Sequence, residues 1–177
     1  MNGKGQIQVE ALYRPVCDSV PLIPKFGMRV QLPETFNIIN WYGRGPFENY
    51  PDRKTGSLIG IYQTRLENFI THYPAPQDNA NRCDVRWFSL SDQIGGRIKI
   101  TGLQPLCFRA WPYDENALEK AKHDYQIVQG DFINVNIDFN IHGVGGNDSW
   151  GGKTMKKYTI DGNQPYRYGF IMEYTTN

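Results

Sequence analysis

Residues 82–91 read RCDVRWFSLS, and apolar and polar side chains alternate through most of this stretch. The same alternation occurs in QIQVEALYR (residues 6–14) and in FGMRVQL (residues 26–32). A period of two residues is typical of a β-strand that buries one face and exposes the other. These three segments therefore predict antiparallel strands and place the chain in the all-β class.

Six further segments are rich in the β-branched and aromatic residues that strands favour. They are FNIINWYG (36–43), SLIGIYQTRL (57–66), GRIKITG (96–102), FINVNIDFN (132–140), MKKYTID (155–161) and YRYGFIMEY (166–174). Gly95-Gly96 lies between two of the candidates, and the turn sequence Asp161-Gly162-Asn163 lies between the last two. Both pairs are therefore predicted to form hairpins.

One helix is predicted, from Asp114 to about His123, because Asp114 can cap its first amides and Lys120 lies near its negative end. No strand–helix–strand alternation and no internal repeat accompanies it. Nine or so strands with one short helix predict an antiparallel β-sandwich. Because the chain has 177 residues and no linker composition, residues 1–177 are expected to form a single domain.

The charge balance is nearly neutral, with 19 Lys plus Arg against 18 Asp plus Glu. Neither nucleic acid nor a membrane surface is therefore expected as a partner. No apolar run approaches the roughly 20 residues of a membrane span, and the start of the sequence has no secretory signal, which favours the cytoplasm over the periplasm. The three cysteines are expected to be reduced and buried, and the three histidines lack ligand spacing, so no metal site is expected.

The segment GRGPFENYPDR (residues 43–53) concentrates glycine, proline and charged residues after a predicted strand. Glu48 and Asp52 could act as a glycosidase acid–base pair, because that reaction needs two carboxylates about 5 to 9 Å apart. The favoured alternative is that they pair with Arg44, Arg53 and loop amides and thereby fix the loop. In PQDNANRCDVRW (residues 76–87), polar side chains could likewise bind sugar hydroxyls or, as favoured, satisfy the backbone.

The third candidate segment is HGVGGNDSWGGK (residues 142–153), whose glycines allow tight turns that direct a side chain outward. The indole of Trp150 offers a flat surface for the apolar C–H face of a pyranose, while Asn147, Asp148 and Ser149 could bind hydroxyls or hold the loop. The alternative is that Trp150 covers the core of the sandwich. A phosphate-binding loop is not expected, since the GxGxxGK pattern followed by a helix is missing.

Four segments in this order resemble the C-terminal, small-chain region of the β-galactosidases of glycoside hydrolase family 2. They are WYGRGPFENYPDR (41–53), PQDNANRCDVRW (76–87), PYDENALEKAKH (112–123) and GVGGNDSW (143–150). The resemblance implies a partial supersandwich of the galactose mutarotase type, in which residues 1–177 form the later part. It also implies that Trp150 stacks on sugar with Asn147, Asp148 and Ser149 beside it, although Asn147 stands where the common motif has Asp.

In that family the catalytic carboxylates lie in a separate barrel domain, so the resemblance implies no catalytic residue in this chain. It implies hydrolysis of terminal β-D-galactosides, with retention of configuration, only together with the remaining domains or a large subunit. The family enzymes use Mg²⁺ and Na⁺ mainly in other domains, so no cofactor is expected here, and the full enzyme is expected to be an oligomer. Two alternatives stay open, a free-standing carbohydrate-binding β-sandwich module and a mutarotase-like enzyme that uses a His and a carboxylate.

Overall fold

The computed structural model of this chain describes residues 5–17, 19–145, 148 and 150–176. Its strands are β1 (Gln6–Tyr13), β2 (Lys25–Pro33), β3 (Ile38–Gly45), β4 (Leu58–Arg65), β5 (Arg82–Ser91), β6 (Gly96–Trp111), β7 (Phe132–Ile141) and β8 (Tyr166–Thr176). Its helices are α1 (Leu66–Phe69) and α2 (Glu115–Lys120), with 3-10 turns at Asp124–Gln126 and Lys156–Tyr158. The predicted all-β class is confirmed, with one short helix more than expected.

Every strand pair is antiparallel, and the strands form one hydrogen-bonded sheet that branches at β6. The main path runs β1-β8-β6-β5-β3-β4, while β7 pairs with β2 on one side and with β6 on the other. The first part of β6, Gly96–Gly102, pairs with β8, and its last part, Cys107–Trp111, pairs with β7. Because β7 and β8 share one edge of β6, the sheet divides into two arms whose side chains can pack together, as in a sandwich.

The hydrophobic core lies where these arms meet. Trp41 of β3 and Phe88 of β5 lie opposite each other and are 1 % and 0 % exposed. Phe108, in the last part of β6, stacks on Phe88 with ring centroids 4.2 Å apart. Phe26 of β2, in the arm that contains β7, contacts Tyr168 of β8, in the other arm, edge-on with ring centroids 5.2 Å apart. Alternate residues of the predicted strands thus face one core, as their period of two required.

The prediction of a strand at MKKYTID (155–161) is wrong. Lys156–Tyr158 forms a 3-10 turn, closed by a hydrogen bond of 2.9 Å from the Tyr158 amide to the Met155 carbonyl. Only Ile160 makes a bridge, and it pairs with Ile23 rather than with β8. The turn at Asp161-Gly162-Asn163 therefore does not join two strands as a hairpin.

The hairpin at Gly95-Gly96 is confirmed, because β5 and β6 pair in antiparallel register on either side of it. The carboxylate of Asp92 caps this turn by accepting hydrogen bonds from the amides of Ile94 and Gly96 at 3.0 and 2.7 Å. Gly95 adopts φ +103°, a conformation that favours glycine. The turn residues here therefore match the backbone that they must form.

The predicted helix is confirmed as α2, but it ends at Lys120, three residues before the expected end at His123. The Asp114 side chain accepts a hydrogen bond of 2.7 Å from the Ala117 amide, as a capping residue should. Strand β6 continues to Trp111, nine residues beyond the predicted GRIKITG segment. Gly102 and Pro105 hid this continuation, because both residue types are ordinarily depleted inside strands.

Strand β7 is buried on both faces, so its polar side chains lie in the interior. Asn134, Asn136 and Asp138 alternate with Ile133, Val135 and Ile137, and all six are at most 3 % exposed. A Cβ atom at the facing Gly27 would overlap Asp138, so only glycine fits at that position of β2. Close approach of the two backbones therefore seals this carboxyl from solvent.

Two cysteines lie next to this polar face, on neighbouring strands. Cys83 and Cys107 are buried, and the Cys107 thiol donates a hydrogen bond of 3.5 Å to the Cys83 sulfur. This hydrogen bond and burial raise the pKa of the Cys107 thiol well above its usual value. The expectation of reduced, buried cysteines is confirmed for this pair, but it is wrong for Cys17, which is free and exposed.

We expect Asp138 to make the chain less stable as the pH rises from about 4 to 7. Burial raises the pKa of its carboxyl to about 7, against the opposing charges of Arg109 and Lys25. Between the unfolded and folded pKa values the folded state binds more protons, so stability falls by up to about 1.4 kcal/mol per pH unit. Urea unfolding at pH 5 and pH 8 should show a smaller loss for Asp138→Asn than for the wild type.

The matched control is Asp131→Asn, which changes an exposed carboxylate just before β7. This variant should retain the pH dependence of the wild-type chain. An equal loss of stability in the wild type and in Asp138→Asn would contradict a buried, protonated Asp138.

Candidate functional site

In the glycine-rich segment that follows β7, the described residues 142–145, 148 and 150–154 form neither strand nor helix, and this segment is called the Trp150 loop below. Trp150 is 94 % exposed, so its indole takes no part in the hydrophobic core. The alternative in which Trp150 covers the sandwich is therefore wrong. Gly146, Asn147 and Ser149 lie outside the described residues, so the predictions for Asn147 and Ser149 stay predictions.

The root of the Trp150 loop is held by a carboxylate from another segment. Asp52 accepts hydrogen bonds from the amides of Val144 and Gly145, at 3.2 and 2.6 Å. From the far end of the loop, the Thr154 hydroxyl lies 3.0 and 2.8 Å from the carbonyls of Gly143 and Gly145. The two amide hydrogen bonds and the Thr154 hydroxyl, whose single proton is available to either carbonyl, thus tie the two ends of the loop to each other and to the GRGPFENYPDR segment.

Two glycines are required for this close approach. A Cβ atom at Gly143 would lie 2.7 Å from the Asp52 carboxyl carbon, and one at Gly145 would lie 2.9 Å from an Asp52 oxygen. Both distances are shorter than ordinary van der Waals contact, so the carboxylate would have to move. The glycines that sequence reasoning linked to backbone freedom also make room for the Asp52 side chain.

Asp148 holds the tip of the loop. One of its carboxylate oxygens accepts hydrogen bonds from the amides of Trp150 and Gly152, at 2.8 and 3.0 Å. These two bonds lower the pKa of the Asp148 carboxyl, because they favour its charged form. Gly151, between the two amides, adopts φ +96°. Asp148 therefore fixes the backbone on both sides of the exposed indole.

A groove of about 600 Å³ opens beside the loop, next to the glycines that follow Trp150. Its walls come from the Trp150 loop, from the 3-10 turn after it with Thr159, and from the segment before β2, and they include Leu22, His142, Val144, Lys153, Lys156 and Thr159. The ring of His142 is turned toward the backbone, with Nδ1 2.5 Å from the Gly143 carbonyl. The groove thus combines apolar walls with a few polar groups, as sugar-sized ligand sites do.

Glu48, in the GRGPFENYPDR segment, has three partners. Its carboxylate accepts hydrogen bonds from Arg53 at 2.7 Å, from the Ala80 amide at 2.8 Å and from the Tyr73 hydroxyl. Its side chain is 9 % exposed. Together with the role of Asp52 at the Trp150 loop, this favours the interpretation that both carboxylates fix loops over that of an acid–base pair.

Arg44 was expected to pair with Glu48 or Asp52, but its guanidinium forms an ion pair with Asp84 of β5 at 2.5 Å. Lys54 joins the same carboxylate at 2.9 Å, and these two cations lower the pKa of Asp84 despite its partial burial. This charge cluster connects the end of β3, and the residue that follows the GRGPFENYPDR segment, to β5. It holds the GRGPFENYPDR segment at its base.

The polar side chains of the segment 76–87 satisfy the backbone, as the favoured alternative predicted. The Asn81 side-chain amide donates to the Asn49 carbonyl at 2.7 Å, and the Asn79 amide donates to the Gln77 carbonyl at 3.0 Å. Asn79 and Asn81 are 3 % and 0 % exposed. The Asn81 amide therefore fastens this loop to the GRGPFENYPDR segment, the Asn79 amide holds its own loop, and neither is available to a sugar.

An ion-pair network that sequence reasoning missed supports these loops. Arg109 of β6 is 2 % exposed, binds Asp78 and lies 2.8 Å from Glu115 of α2. Asp78 also accepts a hydrogen bond of 2.5 Å from the Tyr50 hydroxyl, and burial raises the pKa of Tyr50. Cys107, Arg109 and Trp111 alternate along the second part of β6 and lie on one face of it. A prediction of this part of the strand would therefore have placed the arginine inward.

In the described ranges, no three or more His, Cys, Asp or Glu side chains are grouped as ligands of a metal ion. No helix in the same part of the chain is long and apolar enough to cross a membrane. His72 is bound to Asp124 at the surface, with a shortest distance of 3.0 Å.

Comparison with known proteins gives consistent matches. The family model described as "Beta galactosidase small chain" matches residues 1–172. The chain is 35 % identical over 169 residues to a β-galactosidase of Priestia megaterium, which covers 96 % of this chain and 16 % of the relative. It is 36 % identical over 156 residues to a β-galactosidase of Pseudoalteromonas haloplanktis, and the match covers 88 % of this chain and 14 % of that relative. It is 32 % identical over 173 residues to a β-galactosidase of Lactobacillus delbrueckii subsp. bulgaricus, and the match covers 98 % of this chain and 17 % of that relative.

We expect Asp52→Ala to loosen the root of the Trp150 loop without unfolding the chain. The amides of Val144 and Gly145 lose their acceptor, and a hydrogen bond to a charged group contributes about 1.5 to 3 kcal/mol. Hydrogen exchange at these two amides should therefore be at least about tenfold faster. Glu67→Ala, which changes an exposed carboxylate on α1, serves as the control and should leave both exchange rates unchanged. Unchanged exchange in Asp52→Ala would contradict this role.

Proposed function

We propose that this chain, which belongs to the β-galactosidase small-chain family, forms the C-terminal part of an enzyme that hydrolyses terminal β-D-galactosides. The chain spans only 14 to 17 % of the length of the relatives named above, so the activity is proposed for the complete enzyme. The proposed contribution of this chain is to shape the active site and to stack on the sugar through Trp150.

The observation that supports this contribution is a fixed loop that carries an exposed indole. Burying a large aromatic side chain is worth about 1.5 to 3 kcal/mol, and Trp150 at 94 % exposure leaves most of that gain unused. Asp52 and Asp148 accept hydrogen bonds from loop amides on either side of it and thereby hold the loop. A binding surface that is ordered in advance loses less conformational entropy when a ligand arrives.

The indole is chemically suited to a galactose ring. Galactose presents an apolar face of C–H groups to a flat aromatic ring, whereas its hydroxyls need hydrogen-bond partners at the edges. The groove beside the loop offers such groups on Lys153, Lys156 and Thr159. We therefore propose a site that uses the stacking surface of Trp150 together with polar groups of the neighbouring groove, which is the usual composition of a site for a small polar ligand.

No catalytic residue is proposed in this chain. A retaining glycosidase needs two carboxyl groups about 5 to 5.5 Å apart, one as nucleophile and one as acid and base. Glu48 and Asp52 are committed to loop contacts, and Asp84 and Asp78 are committed to ion pairs. We propose that the remaining domains or a large subunit supply the carboxylates, and that this chain orients the sugar toward them.

Complementation tests the assignment to a larger enzyme. The probe is the Priestia megaterium β-galactosidase without the 169 residues that match this chain. Adding this chain to that remainder should restore hydrolysis of o-nitrophenyl β-D-galactoside. Absence of any gain, at chain concentrations that saturate the remainder, would contradict the proposed function.

The complemented enzyme also tests the role of Trp150. We expect Trp150→Ala to lower kcat/KM by about tenfold, because a stacking contact of about 1.4 kcal/mol is lost. The loss should appear mainly as a higher KM, and Trp150→Phe should recover part of it. Tyr125→Ala, which removes another exposed aromatic side chain at 83 % exposure, is the control and should leave kcat/KM unchanged. Wild-type kcat/KM in Trp150→Ala would exclude the stacking role.

Fluorescence of the isolated chain distinguishes a free-standing sugar-binding module. Trp150 is far more exposed than Trp41 and Trp111, which are each 1 % exposed, so a sugar at Trp150 should alter the emission. We expect no saturable change with millimolar galactose or lactose, because the remaining walls of the site belong to other domains. A saturable change in the wild type that disappears in Trp150→Ala would instead support the module.

A further inference from the structure

The sheet carries a row of mostly apolar side chains on the face opposite the core. Pairs of directly opposite residues link the row across β4, β3, β5, β6 and β8, and its members are Ile61, Tyr42, Trp87, Thr101 and Ile171. Opposite residues of antiparallel strands lie on the same face of a sheet. These five side chains, called the outer row below, therefore form one continuous surface.

The outer row is most exposed at the end of the sheet. Ile61 is 72 % exposed and Tyr42 is 36 % exposed, while Trp87 is half-buried. Strand β4 pairs with β3 on one side, and in the described residues no strand pairs with its other side. Leu58 and Ile59, at 72 % and 41 %, extend the apolar surface along this edge.

This edge lacks the usual protection against pairing with another chain. Exposed edge strands in soluble proteins ordinarily carry charged residues, proline or a bulge that prevents such pairing. The part of β4 from Leu58 to Tyr62 contains no charged residue and no proline, and its pairing with β3 is regular. An apolar face that continues into an unprotected edge indicates a surface that another polypeptide covers.

Cations lie over the aromatic members of the outer row. The Arg86 guanidinium is 5.3 Å from the ring centroid of Tyr42, and the Lys99 ammonium is 5.3 Å from that of Trp87. In the described part of the chain, no carboxylate forms an ion pair with either cation. A complementary partner would therefore combine apolar side chains with carboxylates.

We propose that the outer row and the free edge of β4 bind the remainder of the longer β-galactosidase polypeptide, through an extended apolar segment of it that carries carboxylates. This inference rests on the proposed function, which assigns the chain to a larger enzyme. The relatives are about six times as long as this chain, so they contain ample polypeptide to cover the surface.

The test measures binding of this chain to the Priestia megaterium β-galactosidase that lacks the 169 matching residues. Ile61→Asp places a carboxylate in the outer row at a residue exposed enough to leave the fold intact. Val128→Asp is the matched control, since the two apolar side chains are 72 % and 74 % exposed and Val128 lies outside the sheet. Thermal unfolding of both variants checks that each is folded.

We expect Ile61→Asp to weaken binding by at least about tenfold, as loss of a central interface contact does, while Val128→Asp binds like the wild type. Lys99→Gln should weaken binding less and should reduce its dependence on salt, because one charge contact is lost. Wild-type affinity in Ile61→Asp would overturn the proposed surface but leave the proposed function standing if activity is restored. A wild-type chain that neither binds nor restores activity would overturn both.

Sedimentation of the isolated chain provides the remaining outcome. If the wild-type chain forms dimers that Ile61→Asp dissociates and Val128→Asp does not, a second copy occupies the outer row. That result would overturn the proposal that the longer polypeptide is the partner.

Discussion

The pairing of β6 with three other strands is the constraint on which the rest of the structure depends. This strand of 16 residues pairs with β5 along one edge and with β8 and then β7 along the other. The two arms of the sheet can therefore close over one core. The same strand also carries Arg109 inward, where its ion pairs with Asp78 and Glu115 hold the loops above the sheet. The same strand therefore joins the arms of the sheet and anchors the loops.

The Trp150 loop depends on this arrangement from two directions. It begins where β7 ends, and β7 is fixed by its pairing with β6 and β2. Asp52, which binds its root, belongs to the GRGPFENYPDR segment that Glu48 and Arg44 fasten to β5 and to the loop before it. Segments far apart in sequence therefore position a single exposed indole. This convergence explains why charged residues that look catalytic in the sequence serve as loop contacts.

Alternating sequence patterns predicted β1, β2 and β5, and a high content of β-branched and aromatic residues indicated the other strands. These sequence signals failed where other forces decide the backbone. In MKKYTID the local hydrogen bond from Tyr158 to Met155 forms a turn, and in β6 the strand continues through Gly102 and Pro105. The exposure of Trp150 was predictable from its glycine neighbours, whereas its support by Asp52 was not, because that contact joins residues more than 90 positions apart. The Arg109 network was missed because the second part of β6, which turns Arg109 inward, was not predicted.

We propose that Trp150 stacks on the sugar in a site completed by other domains. The most direct measurement is a structure of the complemented enzyme, with an inactivated catalytic carboxylate, bound to a β-galactoside. We expect the indole of Trp150 to lie against the C–H face of the galactose ring, at the roughly 3.5 to 4 Å of van der Waals contact. An indole that points into solvent, or that packs against protein with the galactoside bound elsewhere, would contradict the claim.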